Sequence, residues 1–177
     1  NYHGVKGLRV GASFYYNQTA KNGTKPWRNT GYKFPVTIVT GDLQYKGFNN
    51  NLIVRGNAVY GNLGASGALT TINNSSSAAS GYPNTTVAQN AVSYGGEAGY
   101  NIGSFFHSKA PRIYPFIRYE YYNPMEKTEA NTGLLADKRF QVSAVTAGLN
   151  YYALPNLVIK ADYTLSLIHI SEPTRPY

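Results

Sequence analysis

Gly148-Leu-Asn-Tyr-Tyr-Ala-Leu-Pro-Asn-Leu-Val-Ile-Lys-Ala-Asp-Tyr163 decides how this chain folds. The stretch reads as a β-hairpin, two alternating arms around a turn at Pro155 and Asn156. On the second arm Leu157, Ile159, Ala161 and Tyr163 fall on one side and Lys160 and Asp162 on the other, because strand side chains alternate between faces. One face is apolar and the other charged. A soluble sandwich would bury the apolar face against a second sheet; a barrel set in a membrane would turn it to lipid and line a watery interior with the charges.

The same alternation recurs along the chain, giving seven predicted strands of ~9 to 12 residues, about what a tilted strand needs to cross a bilayer. In Gly7 to Tyr16, Leu8, Val10, Ala12 and Phe14 oppose Arg9, Gly11 and Ser13. In Val36 to Lys46, Val39, Gly41, Leu43 and Tyr45 oppose Thr40, Asp42, Gln44 and Lys46. Leu52 to Gly61 sets Leu52, Val54, Ala58 and Tyr60 against Arg55 and Asn57; Val92 to Gly103 sets Tyr94, Ala98, Tyr100 and Ile102 against Gly95, Glu97, Gly99 and Asn101. Arg112 to Tyr122 sets Ile113, Pro115, Ile117, Tyr119 and Tyr121 against Arg118 and Glu120. Pro115 predicts a bulge or a strand start there, since it cannot donate to a ladder. The sixth strand runs from about Arg139 to Tyr151, and the seventh is the arm from Leu157.

Between these strands, short connections (47–51, 104–111 and 152–156) take turns with long ones (17–35, 62–90 and 123–138). Tight turns at one end and long loops at the other are the plan of outer-membrane barrels. The longest loop holds Asn73-Asn-Ser-Ser-Ser-Ala-Ala-Ser-Gly81, a low-complexity polar tract expected to lack a fixed conformation. Tyr15, Tyr16, Tyr45, Phe48, Tyr60, Phe105, Phe106, Tyr121, Tyr122, Tyr151, Tyr152 and Tyr163 lie mostly at strand ends, where rings with a polar edge suit a membrane interface.

Composition agrees with an all-β chain. Its 177 residues suffice for one domain, and 17 Tyr, 7 Phe and 18 Gly accompany one Met and no Cys. Without cysteine there are no disulfides, thiol nucleophiles or thiolate metal sites. No apolar run reaches the ~18 residues of a membrane helix. The first residues carry no initiator Met and no signal-peptide pattern, so the chain is expected to start partway into a longer protein. A net charge of +8 raises nucleic-acid binding. Its cations, such as Lys21, Lys25, Arg28, Lys33, Lys109, Arg112, Lys127 and Lys138, are dispersed, with no recognition motif or basic helix to organise them, and no nucleic-acid partner is expected.

Residues 1–164 are taken as the partial barrel. The stretch Leu165-Ser-Leu-Ile-His-Ile-Ser-Glu-Pro-Thr-Arg175 resembles the translation of a transposon-end sequencing adaptor, and residues 165–177 are set aside as an appended artefact. In that case His169 has no function. A strand continuing from Tyr163 is the plain structural alternative, since Leu165 and Leu167 keep the alternation.

Charged residues on the polar faces are the candidate lumen set: Arg9, Lys46, Arg55, Arg118 and Lys160 against Asp42, Glu97, Glu120 and Asp162. Inward is the economical orientation, because an Arg or Lys facing lipid near the midplane costs roughly 2 to 4 kcal/mol. Five cations against four anions support at most a slight anion preference, and mutual neutralisation across neighbouring strands accounts for most of them. No enzyme is expected: His3 and His107 fall in a terminus and a turn, and there is no nucleophile elbow or metal-ligand cluster. No cofactor is implied.

Gly7-Leu-Arg-Val-Gly-Ala-Ser-Phe-Tyr-Tyr16, Tyr114-Pro-Phe-Ile-Arg-Tyr-Glu-Tyr-Tyr122, and Gly148-Leu-Asn-Tyr-Tyr with Pro155-Asn and Lys160-Ala-Asp-Tyr163 resemble the C-terminal half of Gram-negative outer-membrane porins. The nearest group is that of the phosphate-selective porins O and P, over about residues 5 to 164. The resemblance implies a larger antiparallel barrel in the outer membrane, often trimeric, in contact with lipid and passing small hydrophilic solutes, anions among them. The group's phosphate ladder has no matching motif here. The alternatives are a non-transporting barrel that binds a partner through its long loops, and a soluble β-sandwich that binds carbohydrate through its tyrosines.

Overall fold

The computed structural model describes residues 4–18, 33–80, 86–106, 111–129, 140–154 and 156–168. Among them seven strands form one sheet: β1 (Leu8–Gln18), β2 (Pro35–Gly47), β3 (Leu52–Leu63), β4 (Asn90–Tyr100), β5 (Arg112–Lys127), β6 (Val142–Leu154) and β7 (Leu157–Ile168). Their spatial order is the chain order, and every neighbouring pair is antiparallel. The fold is all-β, an open strip of antiparallel sheet such as an incomplete barrel has.

Register fixes which side chains share a row. Arg9 stands opposite Gln44, Gln44 opposite Arg55, Arg55 opposite Glu97, Glu97 opposite Arg118, Arg118 opposite Thr146, and Thr146 opposite Thr164. One polar row thus crosses all seven strands. The strands are staggered about it: β1 begins at Leu8, one residue before Arg9, whereas β7 begins at Leu157, seven residues before Thr164. A progressive stagger of this sense accompanies the strand tilt by which a sheet rolls toward a barrel.

The two faces meet different surroundings. On the opposite face from the polar row lie Val10, Leu43, Val54, Ala98, Ile117, Ala147 and Ile159; among the described residues the one charged side chain in the paired rows of that face is Lys127, opposite Asn90 at the long-loop end of β5. These apolar side chains stand out from the protein: Ile117 and Ile159 are each 58% exposed, with Phe14, Val39, Leu149 and Leu165 also exposed. Among the described residues only two hydrophobic side chains, Phe34 and Tyr114, are buried. Among the described residues no second layer covers the apolar face.

Several elements depart from the sequence reading. β4 ends at Tyr100, not Gly103, because Asn101 is drawn out of the ladder. Its Oδ1 accepts the Ile113 N–H at 3.0 Å, its Nδ2 donates to Asn51 Oδ1 at 3.0 Å, and the chain then coils into a short 3-10 helix at Ile102–Phe105. β5 continues past Tyr122 to Lys127. β6 opens at Val142, and the Arg139 start lies outside the described residues. Pro115 carries no bulge: it pairs in register with Leu149 on β6, three residues into β5, and the β4 ladder ends one residue away at Gly99 and Phe116. The backbone of β7 continues to Ile168, with Leu165 opposite Val145, so the set-aside stretch begins as strand; residues 169–177 lie outside the described residues.

The polar tract in the longest loop is the clearest correction, since Ser66–Ser80 is an α-helix, α1. Intrinsic propensity is weak there, but tertiary contacts hold the first turn. Glu129, just beyond β5, accepts the Gly67 N–H at 2.6 Å and the Ser66 hydroxyl at 3.3 Å. A carboxylate on the free N–H groups of a helix start satisfies donors and opposes the helix dipole. Thr70, itself buried, accepts the Val87 N–H at 2.9 Å and so closes the loop back on the helix. The 17–35 and 123–138 loops and the turn at Pro155 fall largely outside the described residues.

Candidate functional site: a charged trough on the polar face

All nine sequence-predicted charges lie on one face of the sheet. Arg9, Arg55, Glu97 and Arg118 share the central row; Asp42 and Glu120 lie in the next row toward the long loops, Lys46 and Asp162 in the next row toward the turns, and Lys160 one row further. Arg9, Asp42, Arg55, Glu97, Arg118 and Glu120 come together around a trough of about 410 Å³, with Gln44 and Asn57. Lys46 and Asp162 are not brought together, being separated by the strands between β2 and β7, and Lys160 instead lines a smaller recess with Tyr114, Phe116, Asn150 and Tyr152.

β4 makes the trough. Its polar-face positions read Ser93, Gly95, Glu97 and Gly99, so Glu97 projects between two residues that have no side chain. Side chains of the flanking strands lean into the space. A Cβ on Gly95 would stand 3.2 Å from Asn57 Oδ1 and 3.4 Å from Glu120 Cγ, and one on Gly99 would stand 3.2 Å from Phe116 Cβ.

Into that notch two arginines converge on one carboxylate. Arg118 donates to Glu97 Oε2 from Nε at 2.9 Å and from Nη2 at 2.6 Å, and Arg55 donates from Nη1 to Oε1 at 3.2 Å. The Glu97 side chain is only 16% exposed, against 55% for Arg55 and 40% for Arg118. The carboxylate therefore lies beneath a canopy of guanidinium groups. Glu120 reaches the second face of Arg118 at 4.0 Å. Exposed pairs of this kind contribute at most about 1 kcal/mol each, so their consequence is electrostatic rather than structural. Arg9, Asp42, Lys46, Lys160 and Asp162 make no ion pair with another described residue. Mutual neutralisation thus holds for the β3–β4–β5 cluster and not for most of the set.

Sequence reasoning passed over the uncharged members and one cation. Thr146 and Thr164 complete the row with a hydroxyl–hydroxyl hydrogen bond of 2.8 Å, and Ser13 and Thr40 make another at 2.6 Å. Arg112 also lies on the polar face, its guanidinium 4.9 Å from the Tyr152 ring centroid. Phe116 does too: its ring overlies Gly148, where a Cβ would come within 2.6 Å of the ring. The alternation already placed Arg112 and Phe116 with Arg118, and that signal was available in the sequence. Tyr15, Tyr122 and Tyr152 likewise face the charged side and leave the aromatic bands of the apolar face. Those bands consist of Phe14, Tyr16, Tyr60, Tyr94 and Tyr121 toward the long-loop end, and Tyr45, Tyr100 and Tyr151 toward the turns, with exposed Phe48, Phe105 and Phe106 in the turns themselves.

No group of three or more His, Cys, Asp or Glu among the described residues could hold a metal ion. No described helix is long and apolar enough to cross a membrane, which bears on helices and not on strands. In comparisons with known proteins no family model, no curated protein and no solved structure matches this chain.

Proposed function

We propose that this sheet is part of the wall of an outer-membrane porin of a Gram-negative bacterium, through which small hydrophilic solutes or ions diffuse passively. The observation that carries the reading is the division of the faces: an exposed apolar face spans all seven strands, its one charge among the described residues being Lys127 at the long-loop edge, while the other strand charges gather on the opposite face. In water such a face exposes far more contiguous apolar surface than a soluble monomer tolerates. Against lipid it needs no cover. Strands of 11 residues extend ~37 Å, which at a tilt of about 45° spans roughly 26 Å, the height of the apolar band of a membrane barrel. Aromatic side chains cluster toward both edges of that band, where an interface would place them.

The strip is closed by further strands. β1 and β7 run in the same direction, being the first and seventh of a wholly antiparallel series. Antiparallel closure therefore requires an odd number of added strands, giving the even total usual for these barrels. The charged trough then faces water inside. The soluble carbohydrate-binding reading lacks a layer over the apolar face among the described residues, and a non-transporting barrel shares every feature except conduction. Planar-bilayer recording of the full-length protein separates them: stepwise conductance supports the porin, and inserted protein that passes no current refutes it.

A further inference from the structure

We infer that Glu97 is the residue that determines ionic selectivity in this channel, by neutralising two trough-facing arginines and engaging donors that permeating anions would otherwise meet free; this rests on the porin reading above. In the central row Arg9, Arg55 and Arg118 face Glu97 as the sole carboxylate, three positive charges against one. Arg55 and Arg118 both turn their donors onto it, three hydrogen bonds of 2.6 to 3.2 Å in all. The Nε and Nη2 fork of Arg118, which would match the oxygens of an oxyanion, is thereby occupied, together with one Nη1 donor of Arg55. The two rows beside it cannot take over the role. Glu120 is 56% exposed and meets Arg118 only at 4.0 Å, and Asp42 and Asp162 engage neither arginine as an ion pair.

The glycines at 95 and 99 make Glu97 singular. With no neighbouring side chain on the polar face of β4, nothing else there can accept from the two arginines when the carboxylate is gone. Glu97→Gln keeps the side-chain shape, removes the charge and weakens the acceptor. The freed guanidinium groups then project into the trough beside Arg9, as a cluster with open donors. In the wild-type protein the Glu97 hydrogen bonds hold this cluster closed, and exchanging one carboxylate oxygen for an amide nitrogen opens it.

The test is reversal potential across a potassium chloride gradient, measured on full-length wild type, E97Q, E120Q and R55Q/R118Q, with sodium sulfate then added at millimolar concentration. One unit charge ~7 Å from a permeating ion through water changes its local concentration about threefold. E97Q is expected to raise the chloride-to-potassium permeability ratio about threefold or more and to become subject to sulfate block. E120Q is expected to shift less and to show no block, and R55Q/R118Q to shift toward cations. An E97Q channel with wild-type selectivity, or with a shift and block no greater than those of E120Q, overturns the inference. Should E97Q fail to insert, R55Q/R118Q decides: an unchanged ratio overturns it. Wild-type protein that inserts without conducting refutes the porin reading itself, an outcome distinct from any change in selectivity.

Discussion

Ile117→Lys separates lipid from water at the apolar face by a margin larger than experimental error. Ile117 lies in β5 between Ala98 and Ala147 and is 58% exposed, so a lysine there meets little steric resistance from the protein. Four residues one way along the strand is Tyr121, and four the other way is Ile113, opposite Tyr151. At about 3.4 Å per residue and a tilt of about 45°, each aromatic edge is roughly 10 Å away along the membrane normal. The substitution therefore places an ammonium group near the midplane, where it costs about 2–4 kcal/mol. At a water-exposed position the same change lies within about 0.5 kcal/mol of neutral. Urea titration of the full-length protein folded into phosphatidylcholine vesicles measures the difference. Asn57→Lys, at an exposed position on the polar face, serves as the control with an expected effect below about 1 kcal/mol. An I117K protein as stable as wild type refutes the assignment of this face to lipid.

Three further outcomes follow from local geometry. Gly148→Ala places a methyl group 2.6 Å from the Phe116 ring and 2.8 Å from the Ala161 carbonyl, which is backbone and cannot step aside, so a loss of about 1–3 kcal/mol is expected in the same titration. Glu129→Ala removes the acceptor of the Gly67 and Ser66 donors at the start of α1, a cap contribution of about 0.5–2 kcal/mol, and faster amide exchange in Ser66–Thr70 than in β3 reports it. Asn50→Ala forces alanine to φ 69°, between Asn49, also left-handed, and the start of β3, and costs about 1 kcal/mol by urea titration, whereas Asn50→Gly is neutral or stabilising.

What the sequence revealed, and what it withheld, divides along the range of the interactions. The strands and the sorting of charge to one face follow from a period of two, which acts between near neighbours and is visible in any short window. Arg118 could be placed with Glu120 on that basis alone. Its true partner is Glu97, on another strand, and the bond depends on a register set by turns and by every pairing between them. The Asn101 exit from β4 and the Glu129 cap on α1 have the same origin, a side chain from a distant segment satisfying backbone groups that local propensity leaves open. Helix α1 is hidden from composition because Asn73-Asn-Ser-Ser-Ser is a poor helix former and the Glu129 that holds its first turn is distant in sequence. Phe116 was legible by alternation but sits among charges, and only the paired glycine at 148 explains how an aromatic ring lies flat there.

The division of the two faces between lipid and water is most directly tested by single-cysteine scanning, since these 177 residues hold no cysteine to compete for the label. Each residue of β5 from Ile113 to Tyr121 is replaced in turn in the full-length, vesicle-inserted protein, labelled with a nitroxide, and exposed to molecular oxygen and to a water-soluble nickel chelate. The expected result is an alternation of period two, with labels at 113, 117 and 121 relaxed by oxygen and those at 114, 118 and 120 by the chelate. Chelate access at 117 equal to that at 118, or shielding of both 117 and 121 from either reagent, contradicts the account.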